Sequence, residues 1–137
     1  MTIKLSHTII QVHDQDEALA FYRDVVGLVP CVDVTMDNGY RWLSLGPADQ
    51  PDVQIVLEDV TVGRAPADAE ALGNLLAKGS LSAVIFAVDD CDAFFEKARA
   101  SGAEVMQEPV EQPYGVRDCA FRDPSGNHLR FAAPLKR

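Results

Sequence analysis

No apolar run in this 137-residue chain approaches the length of a membrane span. Cysteine is scarce. Cys31, Cys91 and Cys119 stand apart with no C-x-x-C pair, and an odd count suits reduced thiols in a cytoplasm. Packing is the expected role of all three. Positive charge is in short supply: 12 Lys and Arg face 21 Asp and Glu, a net charge of −9. That balance argues against a nucleic-acid surface and against an anionic membrane as partner. The chain has no phosphate loop and no dinucleotide fingerprint. It holds three histidines, and neither His13 nor His128 has a sequence neighbour that suggests a nucleophile–base pair. Met1-Thr-Ile-Lys4 leads directly into a strand pattern without the apolar stretch of a signal peptide, so the expected location is the cytoplasm.

What is there is most concentrated near the C-terminus, in Phe121-Arg-Asp-Pro-Ser-Gly-Asn-His-Leu-Arg-Phe131. Asp123 to Asn127 is dense turn chemistry. Pro124 pre-sets φ, Asp123 can bond the following backbone, and Gly126 or Asn127 can take positive φ. Alternating residues flank the turn, so the stretch predicts a β-hairpin. Its returning strand has Leu129 and Phe131 on an apolar face and His128 and Arg130 on the other.

From the N-terminus, Ile3 to Val12 alternates as a strand, with Leu5, His7, Ile9 and Gln11 on one side. Asp14 is a helix N-cap candidate, with Asp16 and Glu17 in the first turn. Ala18, Phe21, Tyr22 and Val25 then share a helix face, and Gly27 ends the helix. Strands are predicted at about 29–36, 40–45 and 53–58. The segment from Val60 to Gly79 reads as a connector carrying a short helix over about 66–78. The pattern then repeats: a strand over 81–88, an Asp89 or Asp90 cap, a helix with Cys91, Phe94, Phe95 and Ala98 on one face, a stop at Ser101-Gly102, and three strands. Phe21-Tyr22 and Phe94-Phe95 fall at matching places 73 residues apart.

This order predicts an α+β fold in one domain, built from two βαβββ modules (about 1–60 and 80–137) joined by the connector at about 61–79. Each module has a helix on one face of a four-stranded sheet. The opposite faces can curl into a cup-shaped mixed sheet suited to a small molecule.

Four stretches carry a family resemblance: His7-Thr-Ile-Ile-Gln-Val12, Phe21-Tyr-Arg-Asp-Val-Val-Gly-Leu28, Pro51-Asp-Val-Gln-Ile-Val-Leu-Glu58, and Tyr114-Gly-Val-Arg-Asp-Cys-Ala-Phe-Arg-Asp-Pro-Ser-Gly-Asn127. The chain resembles the vicinal-oxygen-chelate superfamily, which includes glyoxalase I, bleomycin- and fosfomycin-resistance proteins and extradiol dioxygenases. In its metal-dependent members the ligands come from the first and last strands of each module. The resemblance places those positions at His7, Gln54, Ala83 and Arg130, with both pairs 76 residues apart. That is a poor metal set. Gln is a weak neutral ligand, Ala supplies none, and Arg repels a cation. No cofactor is therefore expected. The likeness that remains is to the bleomycin-resistance branch, which implies a homodimer that sequesters an aromatic or apolar compound such as an antibiotic. The alternative is a metalloenzyme of the superfamily (a lyase, isomerase or extradiol dioxygenase) with a divalent metal on His7 and Gln54 or Glu58. A metal-free enzyme with His7 as general base is a third reading.

The candidate ligand-binding residues are His7, Tyr40, Trp42, Gln54, Tyr114, Arg117 and Arg130. His7 can line the cup or serve as a satisfied structural histidine. Tyr40 and Trp42 share a strand face and can stack on a flat ligand or pack in a core. Phe86 joins that wall only if its face assignment is reversed. Arg130 can fork onto a ligand anion or form an internal ion pair with Glu58 or Asp118. Tyr114 and Arg117 flank a loop that can form a rim over the ligand. Arg117 can equally be solvated or hold Asp118 or Asp123. Asp123 and Asn127 are expected to serve the turn.

Overall fold

The computed structural model describes residues 1–135. The elements run β1 (His7–Val12), α1 (Gln15–Ala20), a π-helical segment (Phe21–Val26), β2 (Val29–Thr35), β3 (Arg41–Gly46), β4 (Gln54–Asp59), α2 (Pro66–Ala77), β5 (Val84–Ala87), α3 (Cys91–Ala100), β6 (Glu104–Glu111), β7 (Val116–Arg122) and β8 (His128–Pro134). They form two compact units, Met1–Gly73 and Asn74–Arg137. The first holds a sheet of order β1-β4-β3-β2 and the second a sheet of order β5-β8-β7-β6. In each sheet the first strand pairs parallel with the last, and the other neighbours are antiparallel. The βαβββ order read from the sequence is the order observed.

In the first unit Asp14 caps α1, its side chain accepting from the Glu17 N–H at 3.0 Å. The helix does not continue as one α-helix to Gly27. After Ala20 the backbone widens into the π-helical segment, and Gly27 closes it at φ 90°. Phe21 and Tyr22 begin that segment. They face inward at 9% and 0% exposure, with ring centroids 5.3 Å apart. Ile10, Val12, Leu43, Leu45 and Leu57 complete the core against them. Gln15 donates to the carbonyls of Leu57 (2.9 Å) and Arg41 (3.2 Å), tying the helix to the sheet.

In the second unit Asp90, and not Asp89, caps α3 through the Ala93 N–H at 3.0 Å. Strand β5 is shorter than expected, four residues in place of eight. Its Phe86 stacks on Phe131 at 5.3 Å, and Phe94 stacks on the same ring at 4.0 Å. Phe95 and Phe121 sit 5.5 Å apart beside them. Each such aromatic contact adds about 0.5–1.5 kcal/mol beyond its area burial. Phe86 therefore belongs to the core on the helix side, and the reversed face assignment does not hold. Cys91 and Cys119 are buried with this core, whereas Cys31 is exposed beside an irregularity in the β2–β3 register, which corrects the packing expected of it.

The β7–β8 turn is built as expected. The Asp123 carboxylate accepts from the N–H groups of Ser125 (2.9 Å), Gly126 (2.9 Å) and Asn127 (2.8 Å), and from the Asn127 side chain (2.8 Å). Gly126 adopts φ 111°, and a Cβ there would run into the Leu76 carbonyl at the end of α2. Only glycine suits both conditions.

Candidate functional site

Each sheet has one face on its helix and one face turned away. The strand registers settle which residues lie on the latter. In the first unit His7 stands opposite Gln54, Ile9 opposite Val56 and Gln11 opposite Glu58. Ser44 stands opposite Val56, and Trp42 opposite Val34. Alternation then places Tyr40, Trp42 and Ser44 on the same face as His7.

These residues touch. The His7 and Trp42 rings meet edge-on with centroids 5.8 Å apart, and Tyr40 lies 6.5 Å from Trp42. Ser44 donates to the Gln54 side-chain oxygen at 2.7 Å, which fixes the amide and leaves its NH₂ as a donor. His7 is exposed, with its Nδ1 3.0 Å from the Ser6 hydroxyl. Burial, then the charge on Glu58, pushes the Tyr40 phenol up, so it stays protonated at neutral pH. Further along, Gln11 donates to Glu58 at 3.3 Å, and Arg64 lies 4.0 Å from that carboxylate. The expected grouping of His7, Tyr40, Trp42 and Gln54 is present on one face.

In the second unit the corresponding face carries His128, Arg130, Ala120, Asp118 and Arg122. Arg130 is the centre of a closed hydrogen-bonded ring. Its Nε donates to Asp118 at 2.9 Å, and one terminal nitrogen donates to the Gln107 oxygen at 2.7 Å. The Gln107 amide donates back to Asp118 at 2.9 Å. Gln112 donates to the same carboxylate at 2.9 Å. The other terminal nitrogen lies 3.2 Å from His128 Nε2. Arginine has no acceptor, so Nε2 accepts and the imidazole proton sits on Nδ1.

Charges follow from this ring. Burial pushes the Asp118 carboxyl up, but the bonds from Arg130, Gln112 and Gln107 outweigh it and hold the group below its ordinary range. Burial, with Arg130 and Arg122 nearby, pulls His128 down. The Asp118 bond raises Arg130 further. Of the two internal partners expected for Arg130, Glu58 and Asp118, it is Asp118 that holds it.

Arg117 lies elsewhere. Its cross-strand partner is Ala133, on the helix side, and its guanidinium forks onto Asp92 in the first turn of α3 at 2.9 Å for each bond. It pairs with neither Asp118 nor Asp123 and does not join Arg130's face. Tyr114 is 68% exposed in the turn before β7. Gln107 and Gln112 were not legible as members of the site. Asp118 was marked in the sequence as a possible ion-pair partner of Arg130, and His128 only by sharing its strand parity.

The residues do not fit a divalent metal. In the first unit His7 and Gln54 are direct cross-strand partners, and in the second Arg130 stands opposite Ile85. A single imidazole with one amide and one guanidinium is a poor set for a cation. Glu58, the other acidic candidate, is engaged by Gln11 and close to Arg64. Among the described residues no group of three or more His, Cys, Asp or Glu side chains is placed to hold a metal ion.

Two βαβββ units, each with a sheet face turned away from its helix, define the class of paired-module α+β folds. Residues 4–131 match the Glyoxalase/Bleomycin resistance protein/Dioxygenase superfamily, and the chain belongs to it. It is 32% identical over 130 residues to the uncharacterized protein YurT of Bacillus subtilis (strain 168), covering 94% of this chain and 98% of that one. Among solved structures it is similar to UcmS2, with a TM-score of 0.88 and 36% identity over 96% of this chain and 98% of that chain. It is also similar to TnmS3, an antibiotic binding protein from Streptomyces sp. CB03234, with a TM-score of 0.77 and 29% identity over 98% and 99% of the two chains. Among the described residues no helix is long and apolar enough to cross a membrane.

Proposed function

We propose that this protein binds a flat, mostly apolar small molecule without a metal and acts by sequestering it, in the manner of an antibiotic-binding protein. The observation that carries this reading is the donor set. Where a metal site of this fold would need imidazoles and carboxylates, the chain has His7, Gln54, Ala83 and an Arg130 already tied to Asp118. A fixed positive charge at that place opposes a cation and favours an organic acceptor. On the first unit Tyr40, Trp42 and His7 offer aromatic surface and Gln54 a donor; on the second unit Arg130 offers a donor. The similarity to TnmS3 supports the same reading.

The working form is a homodimer. Ile9 (52% exposed), Val34 (48%), Ile85 (68%) and Val110 (45%) all lie on the faces turned away from the helices. Apolar side chains there are better covered than solvated. Light scattering at micromolar concentration checks this, and a monomer would refute it.

The binding test is titration with a panel of polycyclic aromatic compounds, following the emission of Trp42, the single tryptophan. Saturable quenching, with the compound recovered unchanged, is the expected result. Turnover of a bound compound would move the assignment to an enzyme with His7 as its general base.

A further inference from the structure

The binding reading leaves open which polar group of a ligand the first unit recognises, and the pair of Ser44 and Gln54 narrows it. Ser44 is fully buried in β3, and its hydroxyl donates to the Gln54 side-chain oxygen at 2.7 Å. That bond engages the oxygen and leaves the NH₂ group, with two donors, as what the amide offers. The amide nitrogen has no hydrogen-bond partner among the described residues, and among them no buried side-chain nitrogen or oxygen lacks one. The NH₂ group therefore lies at the surface.

It stands beside aromatic surface of the same unit. Gln54 and His7 are cross-strand partners on one face, and the His7 ring meets Trp42 at 5.8 Å. His7 is exposed and Trp42 half-buried. Strand parity puts Glu58 on this face too, with Arg64 4.0 Å away as its cation. A ligand carboxylate would be met by a neutral amide with the Glu58 charge in its neighbourhood. A neutral oxygen gains the same N–H donor without that repulsion.

Resting on the binding function proposed above, we infer that the ligand carries a neutral carbonyl oxygen conjugated to its flat ring system, that this oxygen accepts from the Gln54 NH₂, and that the ring lies against His7 and Trp42. Ser44 is a positioning residue that keeps the amide presenting its donors. Every group invoked belongs to the first unit.

The test uses three naphthalenes of nearly the same shape: methyl naphthyl ketone, isopropenylnaphthalene and naphthoate. Dissociation constants come from calorimetry on the wild-type protein. The Gln54 side-chain amide signals, identified by their loss in Gln54→Met, are followed by NMR. The ketone should bind about fivefold more tightly than the isopropenyl compound, the effect of one neutral hydrogen bond. It should also bind more tightly than naphthoate and shift the Gln54 signals. Equal binding of ketone and isopropenyl compound would overturn the inference and leave the binding function standing. Tightest binding by naphthoate would overturn it in favour of an anion site. Failure of all three to bind would remove both the inference and the aromatic-ligand reading. In the double variant Ser44→Ala/Gln54→Met, with its fold verified by circular dichroism, the ketone's advantage should disappear while the isopropenyl compound binds as before. An advantage kept at full size would overturn the inference. Ser44→Ala alone keeps the amide but frees it to turn, and should at least halve the advantage; an unchanged ratio would overturn the positioning role.

Discussion

Replacing Arg130 by Met alone tests the ring most directly. The substitution strands the Asp118 carboxylate, whose side chain is 3% exposed, without its counter-charge. Breaking a buried pair on one side costs about 3–5 kcal/mol. Gln107 and Gln112 still donate to Asp118, so a loss near the low end, about 3 kcal/mol, is expected. The pH dependence carries a sign. In the wild type Asp118 is held below its ordinary value of 3.8, so it adds stability at neutral pH that is lost as pH falls through its folded pKa. In the variant burial is left opposed only by the two amides, and the carboxyl rises. The deficit should therefore be full at pH 7 and shrink at acidic pH, where the stranded group can protonate. Urea unfolding followed by Trp42 emission at pH 7 and at acidic pH measures this, and adding Asp118→Asn should restore at least half of the loss. A deficit under about 1 kcal/mol at pH 7, typical of exposed pairs, or one that does not change with pH, would refute the account.

Other consequences are simpler to check. Gly126→Ala combines an unfavourable φ with a clash on the Leu76 carbonyl, and should lower stability by about 2 kcal/mol or more, read as a depressed melting temperature. His128, pulled down by burial and by Arg130 and Arg122, favours the fold while neutral. That contribution is present above the ordinary histidine range and is lost as pH falls through the folded pKa; His128→Gln should flatten the stability profile between about pH 7 and 5, and an unchanged slope would count against it. Incubation with Zn, Ni, Mn or Fe(II) followed by gel filtration should leave substoichiometric metal by elemental analysis, and a stoichiometric metal lost on His7→Ala would return the alternative metalloenzyme. In the folded protein a thiol reagent should modify Cys31 and spare Cys91 and Cys119, with all three reacting in denaturant.

Much of the fold was written locally. The N-caps at Asp14 and Asp90 and the Asp123 to Asn127 turn depend on residues within five positions of one another, and such signals survive in sequence. Strand alternation correctly separated His128 and Arg130 from Leu129 and Phe131. The same parity places Arg117 with Cys119 and Phe121 on the helix side, so its distance from Arg130 was readable. Its partner Asp92, 25 residues earlier, was not. The π-helical segment was hidden because Ala18, Phe21, Tyr22 and Val25 fit an α-helical face equally well. Register was hidden too: loop lengths decide which residues of two strands stand opposite, and periodicity carries no information about loops. Gln107 joined the site through an irregular stretch of the β6–β7 pairing, where alternation breaks down.

The parallel pairing of first and last strands also bears on how the chain is made. β8 lies between β5 and β7, so the strand synthesised last within its unit is an interior one. Until it emerges from the ribosome, β5 has no neighbour and the Phe131 ring is missing from beneath Phe86 and Phe94. The first unit meets the same wait at β4, but completes it some seventy residues sooner. While the second unit is being synthesised, a nascent chain would thus carry one finished sheet and one unfinished one. A premature stop near Asp123 would remove the middle of a sheet and leave its margins, an outcome that quality-control proteases should read as an unfolded protein.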